Sequence, residues 1–88
     1  MLHKEGFKEV IDRLNKIEGH IRSIREMVSS GRECPDILIQ IAAVRSALNQ
    51  VGRILMEEHI ETCIVKAFEE GKEEKAIADL KEALKKFI

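Results

Sequence analysis

Apolar residues in the first part of the chain recur at the spacing of an amphipathic α-helix. Over residues 6–30, apolar side chains lie three or four positions apart, and charged side chains fill most positions between them. The recurring positions are Val10, Leu14, Ile17, Ile21, Ile24 and Val28. Residues three and four apart lie on one face of a helix, so this pattern predicts an amphipathic helix over 6–30.

The strongest helix-breaking signals follow directly after this segment. Gly31 suits the position that follows a helix C-terminus, and Pro35 fits the first turn of a new helix, where its missing N–H costs nothing. The apolar pattern then predicts a second helix over 35–70 and, after Gly71, a third over 73–87. No alternating strand pattern occurs, so the sequence predicts an all-α fold of three helices.

The second predicted helix carries apolar residues on more than one side. They are Ile37, Leu38, Ile39, Ile41, Val44, Leu48, Val51, Ile54, Leu55, Ile60 and Ile64. A helix that is apolar on several sides is normally buried on several sides. The helix is too long and too apolar to be covered by the other two, so the pattern favours association with further copies of the chain.

Composition limits the chain to one domain, residues 1–88, with an aliphatic core. It is 44% hydrophobic and 35% charged, has no Trp or Tyr, and carries a formal net charge of −1. A surface for nucleic acid would therefore require basic residues clustered by folding and assembly. Two cysteines form no disulfide framework, and the first residues lack the apolar run of a signal peptide. We therefore expect a cytoplasmic protein with reduced thiols and no membrane segment.

Three soft potential ligands, Cys34, His59 and Cys63, have a spacing that suits a site shared between subunits. His59 and Cys63 are four positions apart and lie on one face of the second helix. Cys34 precedes His59 by 25 residues, which is ~37 Å along a helix at ~1.5 Å per residue. No side chain spans that distance, so Cys34 is either unrelated to the pair or meets the pair of another subunit. Antiparallel pairing about a two-fold axis would create two equivalent sites.

Two thiolates and one imidazole are a ligand set that suits Cu(I). With a fourth ligand the same set suits Ni(II), Co(II) or Zn(II), and His3 is a candidate for that position if the N-terminal segment reaches the site. The residues also fit other roles. Cys63 could be an ordinary core cysteine, and Cys34 a reactive thiol. A catalytic pair of Cys63 and His59 is less favoured, because no orienting group or substrate pocket accompanies it.

Basic residues of the first helix form a candidate nucleic-acid surface. Arg13, Lys16 and His20 occupy positions i, i+3 and i+7, and Arg45 lies on the otherwise apolar second helix. Repeated by symmetry, they could form a band of positive charge for phosphates. They equally fit ordinary solvated faces, and the residues alone favour that interpretation. No helix-turn-helix, zinc finger or aromatic stacking motif is present.

The run from Arg13 to Cys63 resembles the copper-sensitive operon repressor family and its nickel/cobalt- and formaldehyde-responsive relatives. The matching motifs are RL..I.G in the first helix, C.DIL.QI.A at the start of the second and H...C near its end. The resemblance implies an antiparallel four-helix-bundle dimer, which commonly pairs into a tetramer. It also implies a transcriptional repressor, not an enzyme, that binds operator double-stranded DNA and releases it on binding its ligand.

The resemblance also assigns roles to particular residues. Copper-sensing members hold Cu(I) between a Cys of one protomer and a His and a Cys of the other, which correspond to Cys34, His59 and Cys63. DNA contacts in the family are attributed to basic residues of the first two helices. Arg13 matches that pattern most clearly, followed by Lys16 and Arg45.

Two departures from the family pattern keep alternatives open. His20 stands where the family usually has Gln, so it either adjusts the DNA contact or adds a titratable group to that face. His3 is similar to the N-terminal His ligand of nickel-type relatives. We therefore expect a copper-responsive repressor, with a nickel- or cobalt-responsive repressor as the first alternative. A thiol-redox or electrophile sensor and a metal-buffering bundle without a DNA role are further alternatives.

Overall fold

The computed structural model describes the backbone of residues 4–88 and the side chains of residues 8–58 and 60–88. The described chain consists of three α-helices, α1 (Lys4–Ser29), α2 (Cys34–Glu69) and α3 (Glu73–Phe87). The predicted all-α class is confirmed, and the helix ends agree with the predicted ones to within two residues. None of the helices in this part of the chain has a stretch long and apolar enough to cross a bilayer.

Helices α1 and α2 each end in a hydrogen-bonded turn of the same type. Gly31 and Gly71 have φ values of 75° and 68°, a left-handed conformation that glycine adopts without the steric penalty of a Cβ. After α1, the N–H of Gly31 donates to the carbonyl of Val28 at 3.2 Å, and the N–H of Arg32 donates to that of Met27 at 3.0 Å. These two bonds form a Schellman cap, which satisfies carbonyls left without partners at the helix end.

A small apolar core joins α1 to α2. Val10 and Ile17, two turns apart on α1, are buried against Val51 of α2. The partly buried residues that pack around them are Val44, Ala47, Ile54 and Leu55. This core fixes α1 against the middle of α2 and leaves the two ends of α2 outside it.

Helix α3 packs back along the second half of α2. A Cβ added at Gly52 would overlap the ring of Phe87, so the last turn of α3 lies directly against α2 at this glycine. The chain reverses at Gly71, and α3 therefore runs antiparallel to α2. This arrangement places α3 alongside the segment of α2 that carries His59 and Cys63.

The three helices form a single elongated layer. The Cα positions extend over 55 × 27 × 15 Å, with a radius of gyration of 17.2 Å, against about 12 Å for a compact domain of this length. Large apolar side chains remain exposed on all three helices, including Ile21, Leu38, Ile39, Ile41, Leu48, Val65, Phe68 and Ile77. Stable domains normally cover such faces with a second layer. The excess of apolar surface predicted for α2 is therefore present in the folded chain.

Candidate metal site and nucleic-acid surface

Helix α2 carries the three candidate metal ligands near its two ends. Cys34 is its first residue and is exposed, and Cys63 lies two turns before its end and is partly buried. His59 belongs to the same helix, one turn before Cys63. Along the helix axis Cys34 is ~37 Å from His59 and ~44 Å from Cys63, at ~1.5 Å per residue. Because α2 is continuous between them, one chain cannot bring Cys34 to the other two.

The thiol of Cys34 is accessible at the start of α2. Glu33 precedes it in an extended conformation, with φ −61° and ψ 139°, and Pro35 follows in the first turn. The guanidinium of Arg32 lies 3.7 Å from the carboxylate of Asp36 across this helix start. Both of these side chains are more than half exposed, so their ion pair contributes little stability. A side chain from another subunit can therefore approach Cys34 without displacing a strong contact.

The other end of α2 presents a largely apolar groove at the level of His59 and Cys63. This open groove of about 490 Å³ is lined by Arg53, Met56, Glu57, Ile60, Glu61, Ile64 and Val65. Apolar side chains one turn apart, such as Ile60 and Ile64, form the kind of stripe on which a second helix packs. The candidate fourth ligand, His3, lies outside the described residues. Among the described residues, no group of three or more His, Cys, Asp or Glu side chains is close enough to hold a metal ion.

Three of the four predicted DNA-contact residues lie together on α1. Arg13, Lys16 and His20 line one open groove of about 630 Å³ between α1 and α2. The other described lining residues are Lys8, Glu9, Asp12, Ile17 and Ala47. Arg45, the fourth prediction, is exposed on α2 and is not among the described residues that line this groove.

Carboxylates partly balance the positive charge of this groove. The carboxylate of Glu9 lies 3.2 Å from the guanidinium of Arg13, one turn away on α1. Both side chains are substantially exposed, at 53% and 42%, so water and salt weaken the pair. A phosphate can therefore compete with Glu9 for Arg13, while Lys16 is exposed beside it.

A hydrogen bond crosses from this groove to α2. The Nε2 of His20 lies 2.7 Å from Oε1 of Gln40, and the pair is partly buried. An amide oxygen only accepts, so the imidazole donates from Nε2. His20 is thus held by α2, in addition to lining the basic groove.

Sequence reasoning missed Lys8, which lines this groove, and Gln40, which forms the hydrogen bond to His20. Lys8 precedes Lys16 by eight positions, so helical periodicity alone could have placed both on one face. No sequence pattern indicates Gln40, because its hydrogen-bond partner His20 is 20 positions away along the chain. Only the packing of α1 on α2 brings these two side chains together.

The comparison with known families defines the class of protein. Residues 7–86 match the family described as metal-sensitive transcriptional repressor. The chain therefore belongs to this family, as the motifs between Arg13 and Cys63 predicted. Members of this class are transcriptional repressors and not enzymes.

Different relatives of this chain respond to different metals. The copper-sensing transcriptional repressor CsoR of Bacillus subtilis (strain 168) is 42% identical over 79 residues, which cover 90% of this chain and 78% of that protein. The crystal structure of the copper-sensing repressor CsoR with Cu(I) from Geobacillus thermodenitrificans NG80-2 superposes with a TM-score of 0.87 at 41% identity, covering 97% of this chain and 88% of that one. The nickel-responsive transcriptional regulator InrS superposes with a TM-score of 0.73 at 47% identity, covering 92% and 91%.

Proposed function

We propose that this protein is a metal-responsive transcriptional repressor, which binds operator DNA when metal-free and releases it on binding Cu(I). Membership of the metal-sensitive repressor family supports the class, and the similarity to copper-sensing relatives supports the metal. The observation that carries the proposal is the position of the three soft ligands at opposite ends of one continuous helix. That position suits a ligand that acts between subunits.

Cys34 of one subunit and His59 and Cys63 of the partner subunit would hold the metal ion. Two sulfur ligands and one nitrogen ligand fit Cu(I), which accepts low coordination numbers and favours thiolates. The accessibility of Cys34 and the partial burial of Cys63 agree with this division, since an exposed helix start can insert beside a partly covered helix end. The bound ion would link the two subunits at each such site.

The proposed assembly is an antiparallel dimer, two of which pair into a tetramer. The exposed apolar side chains of α2, together with the groove that contains Ile60 and Ile64, supply the surface that such packing covers. Two-fold symmetry then repeats the metal site and doubles the number of basic grooves facing DNA. In the cytoplasm, where thiols stay reduced, both cysteines would be available as ligands.

Metal and DNA binding are coupled through the α1–α2 hairpin. Closure of the metal site would shift the start of α2 relative to the partner subunit. Because α1 is packed on α2, the shift would carry Arg13 and Lys16 out of register with the DNA phosphates. Coupling of this kind is typically ~1–3 kcal/mol and is reciprocal, so DNA must weaken metal binding by the same factor.

The first experiment is an anaerobic titration of the reduced protein with Cu(I) against a competing chelator, followed by X-ray absorption spectroscopy. We expect tight binding through two sulfur ligands and one nitrogen ligand per site. Addition of the same Cu(I) to a complex with a fluorescent operator duplex should release the DNA. Tight Cu(I) binding without any effect on DNA would instead favour a metal-buffering protein.

A nickel- or cobalt-responsive repressor of the same fold is the second candidate. The similarity to the nickel-responsive regulator InrS, at 47% identity, favours it. In this case His3 completes a four-coordinate site, so His3→Ala should abolish Ni(II)-dependent DNA release. In the copper-responsive protein the same variant should respond to Cu(I) as the wild type does.

A thiol-redox or electrophile sensor is the remaining alternative. It would be indicated if neither Cu(I) nor Ni(II) bound tightly. Mild oxidation should then link Cys34 and Cys63 between subunits, which non-reducing electrophoresis would detect as a covalent dimer.

A further inference from the structure

One short hydrogen bond ties the basic groove of α1 to the beginning of α2. It joins His20 Nε2 to Gln40 Oε1 at 2.7 Å and is partly buried. Gln40 follows Cys34 by six residues, which is ~9 Å along the helix. The bond therefore links the segment of α2 nearest Cys34 to the face of α1 that carries Arg13 and Lys16.

The buried apolar core between α1 and α2 has a different position and a different character. On α2 it is formed by residues from Val44 to Leu55, further along the helix than Gln40. Apolar packing is non-directional, whereas the strength of a hydrogen bond falls steeply with distance and angle. A small movement of the first turns of α2 would thus leave the apolar core nearly unchanged but would strain the bond to His20.

We propose that the His20–Gln40 hydrogen bond is the positioning contact through which metal binding at Cys34 displaces Arg13 and Lys16 from DNA. Gln40 then regulates DNA release although it binds neither metal nor DNA. The inference rests on the proposed function, because it requires that Cys34 binds the metal and that the groove of α1 binds DNA. The inference adds the contact through which the metal site acts on the DNA-binding groove.

The test compares two variants of Gln40 that differ in whether they retain an acceptor. Gln40→Met has nearly the same size and flexibility but removes the acceptor oxygen, whereas Gln40→Glu retains one. The probe is a duplex selected from a random pool for tight binding to the metal-free wild-type protein. The measured quantity is the ratio of the duplex dissociation constants with and without Cu(I), in which any general effect of the added Glu charge on DNA affinity largely cancels.

We expect Gln40→Met to lower this ratio about threefold to tenfold, the range for loss of one hydrogen bond. Gln40→Glu should keep the wild-type ratio. The Cu(I) affinity of the DNA-free Gln40→Met protein should stay within about twofold of wild type, and the weakening of Cu(I) binding by DNA should fall by the same factor as the ratio. The equality of these two factors checks the measurement, and the unchanged Cu(I) affinity of the DNA-free variant distinguishes a loss of coupling from damage to the metal site or to the fold.

A second substitution tests the bond from its other side. His20→Phe removes the donor and should lower the ratio as Gln40→Met does, and the double variant should show no further loss. His20→Phe also carries the test if Gln40→Met does not fold, as judged by circular dichroism.

Two results would overturn the inference, and they are distinguishable. If wild-type protein releases the duplex with Cu(I) and the variants release it equally well, the hydrogen bond is not the route, while the proposed function stands. If Cu(I) does not change the affinity of the wild-type protein for the duplex, the proposed function fails, and the inference fails with it.

Discussion

Arg13 and Arg22 of α1 each form an ion pair within the helix, but they differ in whether they line the basic groove. Each pairs with a glutamate one turn earlier, at 3.2 Å for Glu9–Arg13 and 4.0 Å for Glu18–Arg22. Of the two arginines, only Arg13 is among the described residues that line the groove with Lys16. At the scale of single residues, the neighbours across the groove therefore distinguish a candidate phosphate contact from an ordinary solvated charge.

Substitution of Arg13 tests this distinction. Arg13→Ala should weaken binding to any duplex about fivefold at 0.15 M salt, and the slope of log K against log salt should fall by about one for each Arg13 that contacts a phosphate. Arg22→Ala, which removes the same charge and a similar ion pair, is the matched control and should change the slope little. Fluorescence anisotropy over a series of salt concentrations measures both, and equal effects of the two variants would exclude the groove as the DNA contact.

At the scale of helices, two glycines within helices differ in the space available for a side chain. A Cβ added at Gly19 would meet no atom within 4 Å, whereas one added at Gly52 would overlap the ring of Phe87. Glycine costs ~0.5–1 kcal/mol in a helix interior relative to alanine, so the residue at 52 needs a packing reason. That reason is the close approach of α3, which lies alongside His59 and Cys63.

This contrast predicts different effects of the same substitution at the two positions. Gly19→Ala should raise the free energy of unfolding by about 0.5–1 kcal/mol through helix propensity. Gly52→Ala should be less stable than Gly19→Ala by about 1 kcal/mol or more, because the ring of Phe87 must move. Urea denaturation at one fixed protein concentration measures both, since the stability of an oligomer depends on concentration.

The Phe87→Ala background supplies the control for this prediction. With the ring removed, Gly52→Ala should stabilise the protein about as much as Gly19→Ala does. If Gly52→Ala is equally unfavourable with and without the ring, the two residues are not coupled and the packing explanation is wrong.

At the scale of the whole molecule, the flat single layer and the long α2 separate functions that must communicate. The layer is 55 Å long, and α2 alone accounts for ~54 Å at ~1.5 Å per residue. Cys34 therefore lies at one end of the molecule, and His59 and Cys63 lie towards the other. This separation suits a metal site between subunits, because antiparallel pairing brings the start of one α2 beside the end of the partner's α2.

Mixing two inactive variants tests whether the site lies between subunits. Cys34→Ser and Cys63→Ser should each lose tight Cu(I) binding, by more than about a hundredfold, since even loss of a group that only hydrogen-bonds to a metal ligand costs about 10–100-fold. Unfolding and refolding the two together should restore about a quarter of the wild-type sites, because half of the dimers are mixed and each has one intact site. Chelator competition counts the sites, and a site confined to one chain would not be restored by mixing.

The spacing of the candidate ligands could be predicted from the sequence because all three belong to one helix. Cys34, His59 and Cys63 are related by helix rise alone, and the structure confirms that α2 is continuous between them. Periodicity places Arg13, Lys16 and His20 on one face of α1 for the same reason, and all three line one groove. The assignment of these residues to metal and DNA stays a prediction, which the experiments above test.

By itself, the sequence determined the three helices and their ends. Periodicity, the positive-φ glycines at 31 and 71 and the proline at 35 act through neighbours within about four residues, so no knowledge of the fold is needed to interpret them. Tertiary structure alone decided that His20 meets Gln40, that Phe87 covers Gly52 and that the basic groove lies between α1 and α2. These partners are 20 or more positions apart, and their meeting depends on how each helix is rotated and packed against the next, which the whole interface sets together.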